Sequence, residues 1–136
     1  MTEVQNPPES TTVPIEMRLP PDPAMSKVVR LAASGLASLC GFTVGEIEEI
    51  KLAVSEVLIA LIEHGAGEPV AVRFLVSTQT FTVQGSTPAG PTFDIHHPDL
   101  ALCRVVLDGV CTEHDLAVAD GDLRINATLH RPFPGA

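Results

Sequence analysis

The stretch AVSEVLIALIEHG, residues 53–65, places Glu56 inside a run that is otherwise almost wholly apolar. Acids are rarely left in such company without a partner or a role. On a helical wheel Glu49, Glu56 and Glu63 share one direction, opposite the apolar stripe. They read as a solvated ridge. Leu52 and Ile59 on one side and Ala53 and Ala60 on the other narrow that ridge toward the wall of a cleft.

Other reactive side chains are sparser. His96, His97, Cys103, Cys111 and His114 can be assembled on paper into a metal site. Cys111 and His114 are separated by an odd number of residues, which points them to opposite faces of a strand. Cys103 falls on an apolar helical stripe and reads as core. No metal site is expected. Neither Cys40 nor Cys111 stands in the setting of a nucleophile. Lys27 and Arg30 interrupt an apolar helix; they are either solubilising charges with buried stems or part of a partner-binding surface.

The elements that carry these residues follow from periodicity and punctuation. Residues 13–19 alternate as a half-buried strand, which Pro14 assigns to an edge. Asp22 and Pro23 open a first helix with Met25, Val28, Val29, Ala32, Leu36 and Leu39 inward, closed by Gly41. Thr43 and Glu46 form a capping box for a second helix. Its stripe is Ile47, Ile50, Val54, Val57, Leu58 and Leu61, and Gly65 and Gly67 end it. Strands are expected at 70–76 and 80–84, a loop from Gly85 to Pro98, and a third helix over 98–109. Two further strands, 111–118 and 123–129, flank the hairpin signal Asp120-Gly121. The order β-α-α-β-β-α-β-β predicts a two-layer α/β sandwich, an α+β domain with helices on one face of a mostly antiparallel sheet.

Composition narrows the function classes. The 136 residues fit one domain, 13–131, behind a flexible tail, 1–12. A net charge of −9 disfavours direct nucleic-acid binding and suits a basic protein partner. No run is long enough to span a membrane, and MTEVQNPPESTTVP lacks the marks of a secretion signal. Three cysteines do not make a disulfide framework, so a cytoplasmic setting is expected.

The segment IKLAVSEVLIALIEHG resembles the second helix of the anti-sigma-factor serine kinases, a branch of the histidine-kinase-like (Bergerat-fold) ATPases. The preceding strand, Pro-rich turn and helix resemble that branch too. The resemblance covers residues 13 to about 130 and implies the histidine-kinase-like ATPase fold. It implies that Glu56 stands at the position of the general base that activates a serine hydroxyl or water against the γ-phosphate of ATP. The Mg²⁺-holding Asn four residues later is replaced by Ala60, which has no ligand atom. Gly85 stands where the adenine-binding Asp is expected, with Thr87 and Ala89 at the glycine positions that follow. His97 and Asp99 stand at the phosphate-binding glycines that open helix 3, where Asp99 would repel a triphosphate. The resemblance therefore implies a kinase fold whose nucleotide motifs are degraded, with weak or no ATP and Mg²⁺ binding and a vestigial Glu56. Its implied partners are a sigma factor and an anti-sigma antagonist in a partner-switching circuit, contacted through Arg30 and Lys27, with homodimerisation through the first strand and helix. An active serine kinase of the branch, and a scaffold of the same fold with another partner, are the alternatives.

Overall fold

The computed structural model describes residues 14–131. The tail expected at 1–12, and Val13, lie outside the described residues. The elements are β1 (Ile15–Leu19), α1 (Met25–Leu39), α2 (Val44–His64), β2 (Val70–Val76), β3 (Thr80–Pro88), α3 (Pro98–Val110), β4 (Glu113–Ala119) and β5 (Asp122–His130). The five strands pair in the order β1-β2-β3-β5-β4, every pair antiparallel. β1 is an edge, as Pro14 requires. Asp120 and Gly121, at φ 54° and 82°, turn the chain between β4 and β5. Two positive φ values are what a tight two-residue hairpin demands.

The apolar faces close one core. Val70, Val72 and Phe74 of β2, Phe81 and Val83 of β3, and Leu123, Ile125 and Ala127 of β5 are buried. α2 lies over them with Ile50, Val54, Val57, Leu58 and Leu61, the stripe that periodicity predicts. Its start is fixed by the capping box. Thr43 N–H donates to Glu46 Oε1 at 2.7 Å, and Glu46 N–H donates to Thr43 Oγ1 at 3.1 Å. The bond from the Thr43 backbone foremost, with the Thr43 side chain and the Arg131 guanidinium 3.2 Å away, holds the Glu46 carboxyl below its ordinary range against a smaller opposing effect of burial.

Four expectations need correction. The first helix starts two residues later than Pro23: Asp22 Oδ1 accepts from Ala24 N–H, and α1 begins at Met25. Its buried face is Val29, Ala33 and Ala37, while Val28 and Leu39 are exposed, Leu39 by 85%. Small residues let α1 lie close on α2, which turns the bulkier side chains outward. The third strand does not stop at Gln84. It runs to Pro88, because β5 continues to pair with it from Gly85↔Ile125 to Pro88↔Asp122. The last hairpin is shifted as well: Cys111 caps α3, and β4 begins at Glu113.

Candidate functional site

α2 carries the chemistry-bearing acid. Glu56 is half-buried, between the exposed Glu49 and Glu63 on the same side of the helix. Burial raises its carboxyl above the ordinary range, and the Glu63 charge adds to that. α3 packs onto this turn, with the buried Cys103 Sγ 3.9 Å from the Glu56 carbonyl. The side chains at 56, 60 and 64 share one helical face, four residues apart. Ala60, next along it, is 6% exposed and offers only a methyl group.

The strand facing α2 leaves no room for a side chain at the adenine-binding position. A Cβ on Gly85 would run into Leu61 Cδ1 and come within 3.1 Å of Val57 Cγ1. Two residues on, Thr87 is buried, and its hydroxyl donates to the carbonyl of Pro69 at 3.2 Å. Ala89 bridges to Gly65, Ala66 N–H donates to the Pro88 carbonyl at 2.9 Å, and Gly90 N–H donates to the His64 carbonyl at 3.1 Å. The end of β3 is thus drawn down onto the end of α2. A Cβ on Gly90 would come within 2.9 Å of the Gly65 carbonyl oxygen, so the approach requires glycine there.

The start of α3 is self-capped. His97 is the N-cap, and its Nδ1 accepts the Asp99 N–H at 3.1 Å. Pro98 supplies no donor, and Asp99 brings its own charge to the positive end of the helix. A phosphate would have to displace the imidazole and face the carboxylate. Between β3 and α3, about 310 Å³ of space remains, lined by Glu63, His64, Phe93, Asp94, His97 and Asp99. At the positions that the resemblance assigns, the residues present do not fit a Mg²⁺-bound nucleotide: Ala60 offers a methyl group to a metal, Gly85 is backed by Leu61, and Asp99 would face the phosphate.

The opposite side of the α1–α2 pair is basic. Arg30 Nη1 donates to Ser26 Oγ and Ser55 Oγ, each at 3.3 Å, and Ser55 Oγ donates to the Lys51 carbonyl at 2.8 Å. Arg30 is therefore positioned against the turn of α2 that carries Glu56. Lys27, Arg30 and Lys51 line a shallow depression with Leu31 and Ser34. Three of the chain's eight lysines and arginines are gathered there.

The metal grouping considered from sequence is not assembled. His114 pairs with Asp108, and Cys103 is core. Burial pushes the Cys103 and Cys111 thiols up to about 11, with nearby negative groups adding, which leaves both as poor nucleophiles. The cluster that does form joins His64, His97 and Asp99. Sequence reasoning missed His64, although its spacing of four and eight residues from Ala60 and Glu56 is a legible signal. It also missed Ser55 and Lys51, whose role depends on how α1 crosses α2.

No protein-family model matches the chain. Serine-protein kinase RsbW of Bacillus pumilus is 43% identical over 68 residues, which are 46% of this chain and 42% of that protein. Serine-protein kinase RsbW of Bacillus licheniformis is 37% identical over 87 residues, 60% of this chain and 53% of that protein. The chain therefore matches about half the length of these relatives. In solved structures, the crystal structure of the RsbU and RsbW domains of Rv1364c from Mycobacterium tuberculosis covers 89% of this chain and 34% of that one, with a TM-score of 0.71 at 16% identity. Sequence and fold agree: the chain is similar to part of the RsbW serine-protein kinases, and its fold is the histidine-kinase-like fold of an RsbW domain.

Proposed function

We propose that this relative of the RsbW kinases is an anti-sigma-factor-like regulator of transcription that works by protein–protein contact. It holds a sigma factor until an antagonist protein displaces it, with weak or no ATP binding of its own. The observation that carries this reading is the contrast within one fold. The position of the adenine-binding acid, Gly85, is backed directly by Leu61, while Lys27, Arg30 and Lys51, the last paired with Glu48 at 3.0 Å, line a shallow surface depression on the other side of α2. On a chain of net charge −9, this is where an acidic partner surface would be met. Arg suits such contacts because its guanidinium binds carboxylates bidentately.

A homodimer fits the same molecule. The edge strand β1 and the outer side of α1 expose Ile15, Leu31 and Leu39, a contiguous apolar surface. A cytoplasmic setting agrees with the reading, and among the described residues no helix is long and apolar enough to cross a membrane.

One observation favours the active-kinase alternative: Glu56 keeps a carboxylate with a raised pKa at the general-base position. Calorimetric titration with Mg·ATP separates the two readings, because only the kinase requires saturable binding. Affinity capture from native cells tests the partner. Recovery of a sigma factor supports the proposal, and its absence together with capture of unrelated proteins favours the scaffold.

A further inference from the structure

The last turn of α2 and the first turn of α3 meet across the short 89–97 connection. Here one nitrogen from each of the His64 and His97 rings and one oxygen of Asp99 lie within 4.8 Å of one another. The ring centroids of the two histidines are 5.0 Å apart, and Phe93 stands edge-on to His64 at 6.5 Å. His64 Nε2 is enclosed by protein and has no hydrogen-bond partner among the described residues. A ring nitrogen removed from water without a partner is an unmet demand. Nothing in the degraded nucleotide motifs answers it.

We propose that His64, His97 and Asp99 bind a single divalent cation of the zinc type, tying α2 to α3. Two imidazole nitrogens and one carboxylate oxygen are the donors of an open three-ligand zinc site, with a fourth position left free. Mg²⁺ and Ca²⁺ prefer all-oxygen surroundings and are disfavoured by the same set. Glu63 and Asp94 line the same cavity and add negative charge beside the free position.

Bonds of about 2.0–2.2 Å place the donors of a tetrahedral zinc roughly 3.4 Å apart, so groups now within 4.8 Å must close by up to about 1.4 Å. The closure falls on His97 and Asp99, whose side chains are 45% and 64% exposed, while His64 Nε2 is enclosed by protein. Coordination also ends the cap of α3. Through Nδ1 it displaces the Asp99 N–H, and through Nε2 it leaves Nδ1 protonated, a donor facing the Asp99 carboxylate 3.8 Å away. The exchange of a neutral cap for a cation at a helix N-terminus limits affinity, and the surrounding acids offset it. The inference needs neither a sigma factor nor ATP, so it stands apart from the function proposed above.

The test uses the full chain without an affinity tag, its thiols kept reduced by a reductant that does not bind metals. Zn²⁺ is titrated by calorimetry and Co²⁺ by visible absorption. The expected result is one equivalent per chain, a Co²⁺ spectrum without thiolate charge-transfer bands, and a higher melting temperature with Zn²⁺ but not with Mg²⁺. His97→Ala and Asp99→Asn, both at accessible positions, should each weaken binding at least tenfold. Their circular dichroism should match the parent chain. His64→Gln should do the same or abolish binding. No saturable Zn²⁺ binding at millimolar concentration would overturn the site. So would full retention in His97→Ala, which would assign the metal to the His114–Asp108 or His130–Glu113 pairs, or a thiolate signature, which would assign it to the cysteines.

Discussion

The two sides of α2 have been treated differently. Toward β3 and α3 the strand end is closed down, leaving only the cavity beside His64 and His97: Leu61 stands against Gly85, Thr87 is tied to Pro69, and His97 caps its own helix. Toward α1 the surface stays polar and accessible, with Arg30 on Ser55 and Lys27 and Lys51 beside it. The helix that carries Glu56 thus presents one closely packed side and one accessible side. The difference teaches that the fold is held by its own packing on the β3 side of α2, whatever the α1 side meets. Packing energy from Leu61 and Val57 replaces whatever a bound ligand would contribute there.

The comparison predicts unequal responses to substitution. Gly85→Asp is expected to have the largest effect. It reinstates the acid expected from the resemblance but drives a carboxylate into Leu61, and should destabilise the chain by about 3 kcal/mol or more. Denaturant unfolding measures this, and a well-folded Gly85→Asp protein that gains ATP affinity would show that the packed side is still plastic.

Arg30→Ala should come next. The complex with the captured partner should weaken by about 2 kcal/mol, roughly thirtyfold, as read by titration. Folding stability should fall by only about 1 kcal/mol, for the lost bonds to Ser26 and Ser55. Lys27→Ala should act mainly on the association rate. An Arg30→Ala chain that binds with unchanged affinity would remove this face from the interface.

Millimolar Mg·ATP should move the melting temperature by no more than about 2 °C, since a ligand stabilises only as far as its concentration exceeds its dissociation constant. A larger, saturable shift that disappears in Glu56→Ala would return the packed side to the kinases.

The smallest effect belongs to Glu56→Gln. Burial raises the folded-state pKa of Glu56, so its contribution is favourable below the unfolded-state pKa and is lost as pH rises through the folded one. At neutral pH the Gln variant should be slightly more stable than the parent. The gap should close as pH falls through the carboxylate range, which paired thermal melts at several pH values would show. A Gln variant less stable at neutral pH would mean that the carboxylate holds a favourable partner.

Much of this molecule was decided locally. The capping box at Thr43 and Glu46, the apolar stripe of α2, the turn at Asp120-Gly121 and the edge character of β1 are legible because each rests on neighbouring residues and a fixed period. The substitutions at Ala60, Gly85, His97 and Asp99 are legible for the same reason, as residue types at motif spacing. Other features required the assembled chain. Gly85 reads as the start of a loop, since it has no side chain to show alternation; pairing with β2 and β5 keeps it in a strand, and Leu61 and Val57 explain why it is glycine. The bulky residues of α1 read as its inner face, yet close contact with α2 selects Ala33 and Ala37 and turns Leu39 out. His64 and Asp99 are 35 positions apart in the sequence, and Arg30 and Ser55 are 25 apart. Periodicity assigns each residue a direction from its own element. The distance between two such residues is set by how helices cross and strands pair, which is a property of the packed core.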